Sequence, residues 1–203
     1  MTQNGGQLLV ACLTSLGAKT AYGVPGESYL AVLDALHDTK GALDFVLCRN
    51  EGGAGFMAAA HGKLTGEPGI CMVTRGPGAS NATIGVHTAR QDSSPMILFV
   101  GQIGTDQRER EAFQEVNYRQ FYGQVAKWVV EIDHVERIPE LVSRAWATAL
   151  SGRPGPVVVA LPEDMLTSLT DVGPCDPVII PEAAPAPDTI VALERELASS
   201  QRP

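Results

Sequence analysis

Short apolar runs rich in β-branched residues alternate along the chain with longer stretches in which apolar positions recur every three or four residues. The short runs predict strands over Ala21–Val24, Asp44–Leu47, Gly69–Thr74, Met96–Val100, Trp128–Ile132 and Pro156–Leu161. The stretches between them predict helices over Gly5–Leu16, Ser28–Thr39, Gly53–Leu64, Ala79–Gln91 and Ile138–Ser151. Runs such as "MILFV" and "PVVVAL" are apolar at every position, so those strands are covered on both faces, as in a parallel sheet. The expected fold is α/β: a doubly wound, mostly parallel sheet of six strands with helices on both faces.

The alternation stops near Asp171. The stretch "DVGPCDPVIIPEAAPAPD" carries proline at a density that regular elements do not tolerate, and it reads as an extended surface linker. The predicted division is a sheet domain over 1–170, a Pro-rich linker over 171–187, and over 188–203 the start of a helix leading to a further, central domain. A linker that ends in a helix with nothing to pack on leads one to expect a longer polypeptide.

Composition narrows the classes. A chain of 203 residues, 44% hydrophobic, can bury a full core. Its formal charge of −8, and the absence of any basic stripe, exclude a nucleic-acid surface of the usual kind, which needs clustered Lys and Arg. The apolar runs are too short to cross a bilayer, and "MTQNGGQLLV" lacks the charged start and cleavage site of a secretory signal, so a cytoplasmic protein with no membrane partner is expected. Cys12, Cys48, Cys71 and Cys175 are scattered, with no C-x-x-C pair, and read as small buried hydrophobes or idle thiols. His61 and His87 have no second ligand at metal spacing, His37 and His134 read as solvent-facing, and no metal site is assigned to this chain.

In open α/β sheets ligands bind outside the carboxyl ends of the strands, and four such ends carry unusual residues. "YGVPGES" places a Pro25-Gly26 turn after the first strand, with Ser28 able to cap the next helix. "CRNEGGAGFMAAAHGKLTG" sets Glu51 ahead of three glycines in four positions. A first-turn acid complements the helix dipole, but that role leaves the glycines unexplained, since each costs about 0.5–1 kcal/mol relative to alanine inside a helix. Something such as a ring or a second subunit must need the space. "TRGPGASN" sets Pro77 between glycines at a helix start, where an anion could bind, but it is neither a Walker loop nor G-x-G-x-x-G. The stretch from Gly101 to Lys127 is long enough for a lid or an interface; within it "DQRERE" reads as a solvated charged face, and Phe113 and Gln114 stand out among the charges.

Together "YGVPGES", "RNEGGAGFMAAAHGKLTG", "TRGPGASN", "QDSSPMILFVGQI", "EAFQEV" and "SGRPGPVVVALPED" resemble the pyrimidine-binding domain of thiamine-diphosphate (ThDP) enzymes of the acetolactate synthase and pyruvate oxidase type. The resemblance spans roughly Gly5 to Asp164. It implies a carboligase or decarboxylase acting on 2-oxo acids. In it, the Glu51 carboxyl bonds the aminopyrimidine nitrogen N1′ and favours the tautomer whose 4′-nitrogen deprotonates thiazolium C2. It further implies that Pro25, Gly26, Thr74, Pro77 and Asn81 line the pyrimidine pocket, with Phe113, Gln114 and Glu27 near the substrate. The diphosphate would be held through Mg²⁺ on a separate domain of a neighbouring chain in a homodimer or homotetramer, so that this chain alone is nearly inactive. FAD, common in the synthase branch, would sit on a domain outside these residues.

Departures cluster at the substrate end: Glu27 where the synthases usually have glycine, Asn50 where histidine is frequent, and Arg75 in place of serine. The substrate implied is thus a 2-oxo acid or an acyl-CoA. Two rival readings stay open, a pyrimidine-domain subunit of a two-chain decarboxylase and a non-catalytic nucleotide-binding or interaction module on the same scaffold.

Overall fold

A computed structural model describes residues 2–39, 41–181 and 183–202. In chain order the elements are β1 (Gln3–Asn4), α1 (Gly5–Ser15), β2 (Thr20–Gly23), α2 (Leu30–Asp38), β3 (Asp44–Leu47), α3 (Glu51–Thr65), β4 (Gly69–Val73) and α4 (Gly76–Asp92). They continue with β5 (Met96–Gln102), α5 (Tyr118–Tyr122), β6 (Trp128–Glu131), α6 (Ile138–Leu150), β7 (Pro156–Pro162), α7 (Glu163–Thr167), β8 (Leu169–Thr170) and α8 (Pro187–Ser199). Strands β2 to β7 form a six-stranded sheet in the order β3-β2-β4-β5-β7-β6, and every pairing in it is parallel. The expected doubly wound α/β fold is the observed one.

Alternation along the central strands explains the two layers. Ile97 and Phe99 of β5, with Ile70 and Met72 of β4, face α1, α2 and α6. Met96, Leu98 and Val100, with Cys71 and Val73, face α3, α4 and α5. Successive strand residues point to opposite faces, so an uninterrupted apolar run supplies both cores at once. Each fully buried side chain of this size contributes about 1.5–3 kcal/mol over leaving it exposed.

The six predicted strands and five predicted helices all exist, with no end moved by more than three residues. Helix α3 begins at Glu51 itself, because the Asn50 side chain accepts from Gly52 N at 2.8 Å and so caps the turn before Gly53. The β2–α2 connection differs from expectation. Ser28 does not cap α2; it lies fully buried in a 3-10 turn over Glu27–Tyr29, and its Oγ meets Thr74 Oγ1 at 2.9 Å. The sequence pattern also misses β1 and β8, which pair antiparallel as a separate two-stranded ribbon, and the short helices α5 and α7.

Residues 171–181 contain no regular element, as the prolines dictate, yet they do not hang free. Val172, Cys175 and Val178 pack against the α1 core, and Ser15 Oγ donates to the Cys175 carbonyl at 2.7 Å. Helix α8 buries no residue. Among the described residues no helix is long and apolar enough to cross a membrane.

The strand order fixes where a ligand has room. From β2 the chain passes through α2 to the edge strand β3, then returns through α3 on the opposite face to β4, on the other side of β2. The connections diverge at the carboxyl ends of β2 and β4 and leave a crevice there.

Candidate functional site

That crevice gathers most of the residues singled out in the sequence. The turn after β2 supplies Pro25, Gly26 and Glu27, the start of α3 supplies Glu51, and β4 with the start of α4 supplies Thr74, Pro77 and Asn81. Gly26 lies against Thr74 so closely that a Cβ there would come within 2.5 Å of the threonine Cβ. Gly78 is the opposite wall: a Cβ there would meet Thr74 Cγ2 at 2.9 Å and Glu51 Oε1 at 3.5 Å. Glycine at 26 lets the turn pack directly on Thr74, and glycine at 78 keeps a side chain away from the Glu51 carboxylate.

Glu51 is half-buried, and its Oε2 accepts a hydrogen bond from Asn81 Nδ2 at 2.9 Å. Asn81 is exposed, so the carboxylate lies at an open seam between α3 and α4. Its charge is felt beneath the seam. The Tyr29 hydroxyl and the Cys71 thiol are both pushed well above their ordinary range, chiefly by burial and in lesser part by the nearby Glu51 charge.

Two of the three glycines after Glu51 are taken up within the chain. Gly55 faces α4, where a Cβ would stand 3.2 Å from Gly85 Cα; a Cβ on Gly85 would in turn come within 2.5 Å of the Gly55 carbonyl carbon. Gly52 lies beside the Asn81 carbonyl in the same way, at 3.3 Å. The close neighbour of these two is therefore helix α4 of the same chain, neither a ring nor a second subunit. Gly53 alone of the three faces open space.

Phe113 and Gln114 reach the site through the backbone. Gly76 N donates to the Gln114 carbonyl at 3.2 Å, which ties the long loop to the start of α4. Gln114 takes a left-handed conformation, φ 66°, at this junction, and Phe113 projects outward at 74% exposure. The same bond occupies a helix N-terminal N–H that an anion would need, so "TRGPGASN" is not a free anion cradle.

Two residues that departed from the family pattern turn out to be partners. The Arg75 guanidinium, only 11% exposed, forms an ion pair with Glu27 and approaches Glu163 of α7 at 3.9 Å. The charges link the loops after β2, β4 and β7. Sequence reading marked Glu27 and Arg75 separately, gave Ser28 only a capping role and passed over Gly78 and Glu163. Opposite charges on neighbouring strand-end loops were the available signal for the ion pairs.

Other expectations sort as follows. His61 is half-buried, with Nδ1 3.2 Å from the Tyr22 hydroxyl, a packing role. The "DQRERE" stretch is not wholly solvated, because Arg108 turns inward to pair with Glu131 in a cavity of about 270 Å³ at the carboxyl ends of β5, β7 and β6. Gln102, 4% exposed, donates there to the Val116 carbonyl at 2.9 Å.

A family model described as "Thiamine pyrophosphate enzyme, N-terminal TPP binding domain" matches residues 3–121, which contain Glu51, Asn81 and both glycine walls. The chain belongs to this family. Relatives of this TPP-binding domain include the acetolactate synthase of Bacillus subtilis, 35% identical over 188 residues, covering 93% of this chain and 33% of that protein. The large subunit of acetolactate synthase isozyme 3 of Escherichia coli is 42% identical over 163 residues, covering 80% of this chain and 28% of that protein. The mitochondrial acetolactate synthase catalytic subunit of Saccharomyces cerevisiae is 38% identical over 165 residues, covering 81% and 24%. The TPP-binding domain thus spans about a third or less of the relatives it matches.

Proposed function

We propose that this chain is the pyrimidine-binding part of a ThDP-dependent carboligase or decarboxylase acting on 2-oxo acids, with Glu51 as its catalytic carboxylate. The observation that carries the reading is the placement of Glu51 at the β2/β4 crevice, its Oε2 held by Asn81 Nδ2 at 2.9 Å and its Oε1 beside Gly78. The crevice fits an aminopyrimidine: it offers one fixed carboxylate to a ring nitrogen, and glycine at 78 puts no side chain beside Glu51 Oε1. Bound there, the coenzyme supplies the nucleophilic carbon and the electron sink.

The chain's own contribution is to hold and move a proton. Glu51 Oε1 bonds the ring nitrogen and shares a proton with it, while Asn81 keeps the carboxyl from rotating away. Thr74, Pro25 and Pro77 shape the walls. We assign to the Gln114 side chain, whose backbone is tied to the start of α4, a hydrogen bond to a substrate oxygen. We assign the diphosphate and its Mg²⁺ to a separate domain, because the first N–H of α4 is taken by the Gln114 carbonyl and Arg75 by Glu27.

The seam is open on its outer side, and a second copy of the chain is the partner proposed for it. Phe56 and Met57 on α3 and Ile84 on α4 are 44%, 41% and 54% exposed, in line with Gly53 and Asn81. An apolar strip beside a half-built site is the surface a homodimer covers.

The test is Glu51→Gln in the complete enzyme. Turnover on 2-oxo acids falls by about 10²–10⁴-fold, as for loss of a positioned acid–base group, while titration still detects coenzyme binding. Unchanged turnover would sink the role of Glu51, and no turnover of any 2-oxo acid by the unsubstituted enzyme would favour a binding module instead.

A further inference from the structure

Two of the four cysteines, far apart in the chain, meet on the side of the molecule away from the crevice. Cys12 lies fully buried on α1, and Cys175 lies half-buried in the extended segment after β8. The Cys175 N–H donates to Cys12 Sγ at 3.4 Å, and the Cys175 thiol reaches the Cys12 carbonyl at 3.9 Å. A disulfide needs its two Cα atoms about 4.4–6.8 Å apart, and these reciprocal sulfur-to-backbone contacts place the two residues side by side.

The location gives the pair something to control. Among the described residues between Thr170 and Pro187 there is no helix or strand, and the path of residues 171–181 along α1 rests on few contacts. Besides the Cys12–Cys175 contacts they include Thr2 Oγ1 to Asp171 Oδ1 at 2.7 Å, Gln3 Nε2 to the Val172 carbonyl at 2.8 Å, Ser15 Oγ to the Cys175 carbonyl at 2.7 Å, and the packing of Val172, Cys175 and Val178. Noncovalent contacts of this number leave a segment that can lift off locally.

We propose that Cys12 and Cys175 form a reversible disulfide that fastens residues 171–181 to α1, with Cys175 the reacting thiol and Cys12 the resolving one. Exposure sets the division of labour: Cys175 is half-buried and within reach of an oxidant, whereas Cys12 is fully buried on α1. Cys48 and Cys71 are buried in the core on the opposite face of the sheet.

The oxidant is a peroxide. The Cys175 thiolate attacks one peroxide oxygen, the O–O bond breaks, and a sulfenic acid forms while the departing hydroxide takes up a proton as water. Cys12 sulfur then attacks Cys175 sulfur, the S–O bond breaks, and the thiol proton leaves with the hydroxyl as a second water. Two thiols and one peroxide become one disulfide and two waters, and a dithiol reductant reverses the bond by exchange.

The full chain is treated with hydrogen peroxide, denatured, alkylated and digested. The expected result is loss of two hydrogens in mass, alkylation of two cysteines instead of four, and one linked peptide pair containing Cys12 and Cys175. Dithiothreitol restores all four, proteolysis within 171–181 slows severalfold in the oxidised form, and Cys175→Ser abolishes both effects. Overoxidation of Cys175 with Cys12 still alkylatable, or a Cys175 bond between two chains, overturns the proposal.

Discussion

Helices α3 and α8 are of similar length, 15 and 13 residues, and opposite in what they bury. Helix α8 carries a regular apolar stripe, Ile190, Leu193 and Leu197, yet every residue of it is exposed. Helix α3 has almost no stripe, only glycine and alanine along one side, and it buries Gly52, Ala54, Gly55, Ala58, Ala59 and Gly62. An apolar stripe announces a face in need of a partner and says nothing of where that partner is. A small-residue side shows that backbone itself comes close, and here that backbone is α4 and the Pro95 carbonyl.

The contrast can be broken most severely at its tightest point. Gly85→Leu forces a side chain into the Gly55 backbone and costs about 1–3 kcal/mol from overpacking, read as a lower midpoint in urea; a change under about 0.5 kcal/mol would mean that α3 and α4 do not touch there. Next comes the helix start. Asn50→Ala removes the acceptor for Gly52 N and lowers stability by about 1 kcal/mol, and Asn50→Asp recovers most of it in the same assay. Smaller again is the exposed Lys63–Asp92 pair joining the two helices at 2.7 Å. Lys63→Ala loses at most about 1 kcal/mol, and the loss shrinks in high salt. Smallest is Leu193→Ala on α8, 54% exposed, which leaves the midpoint of this chain within about 0.5 kcal/mol.

The same contrast explains what was legible in the sequence. Runs such as Met96–Val100 are apolar on both faces only because helices cover both, so the strands, their parallel pairing and the fold class could be read directly. Glu51 and Asn81 could be placed at one site because both follow strand ends on either side of β2. What stayed hidden depends on distance through space. Gly55 and Gly85 meet across two helices, Arg75 finds Glu27 across two loops, and Cys12 finds Cys175 across nearly the whole chain. The capping role expected of Ser28 failed because Thr74, just past the end of the neighbouring strand β4, holds its hydroxyl first. The ribbon of β1 and β8 is two residues on each side and leaves no periodicity to detect.

That ribbon has a consequence for how the unit can be moved. Pairing Gln3 with Thr170 and Asn4 with Leu169 brings the entry and the exit of the sheet domain side by side, so that the domain begins and finishes at one door. A unit of this kind can be spliced into a host loop through a single pair of neighbouring junctions, or have its old ends joined and new ones cut at the exposed turn around Gly152, without rerouting any strand of the sheet.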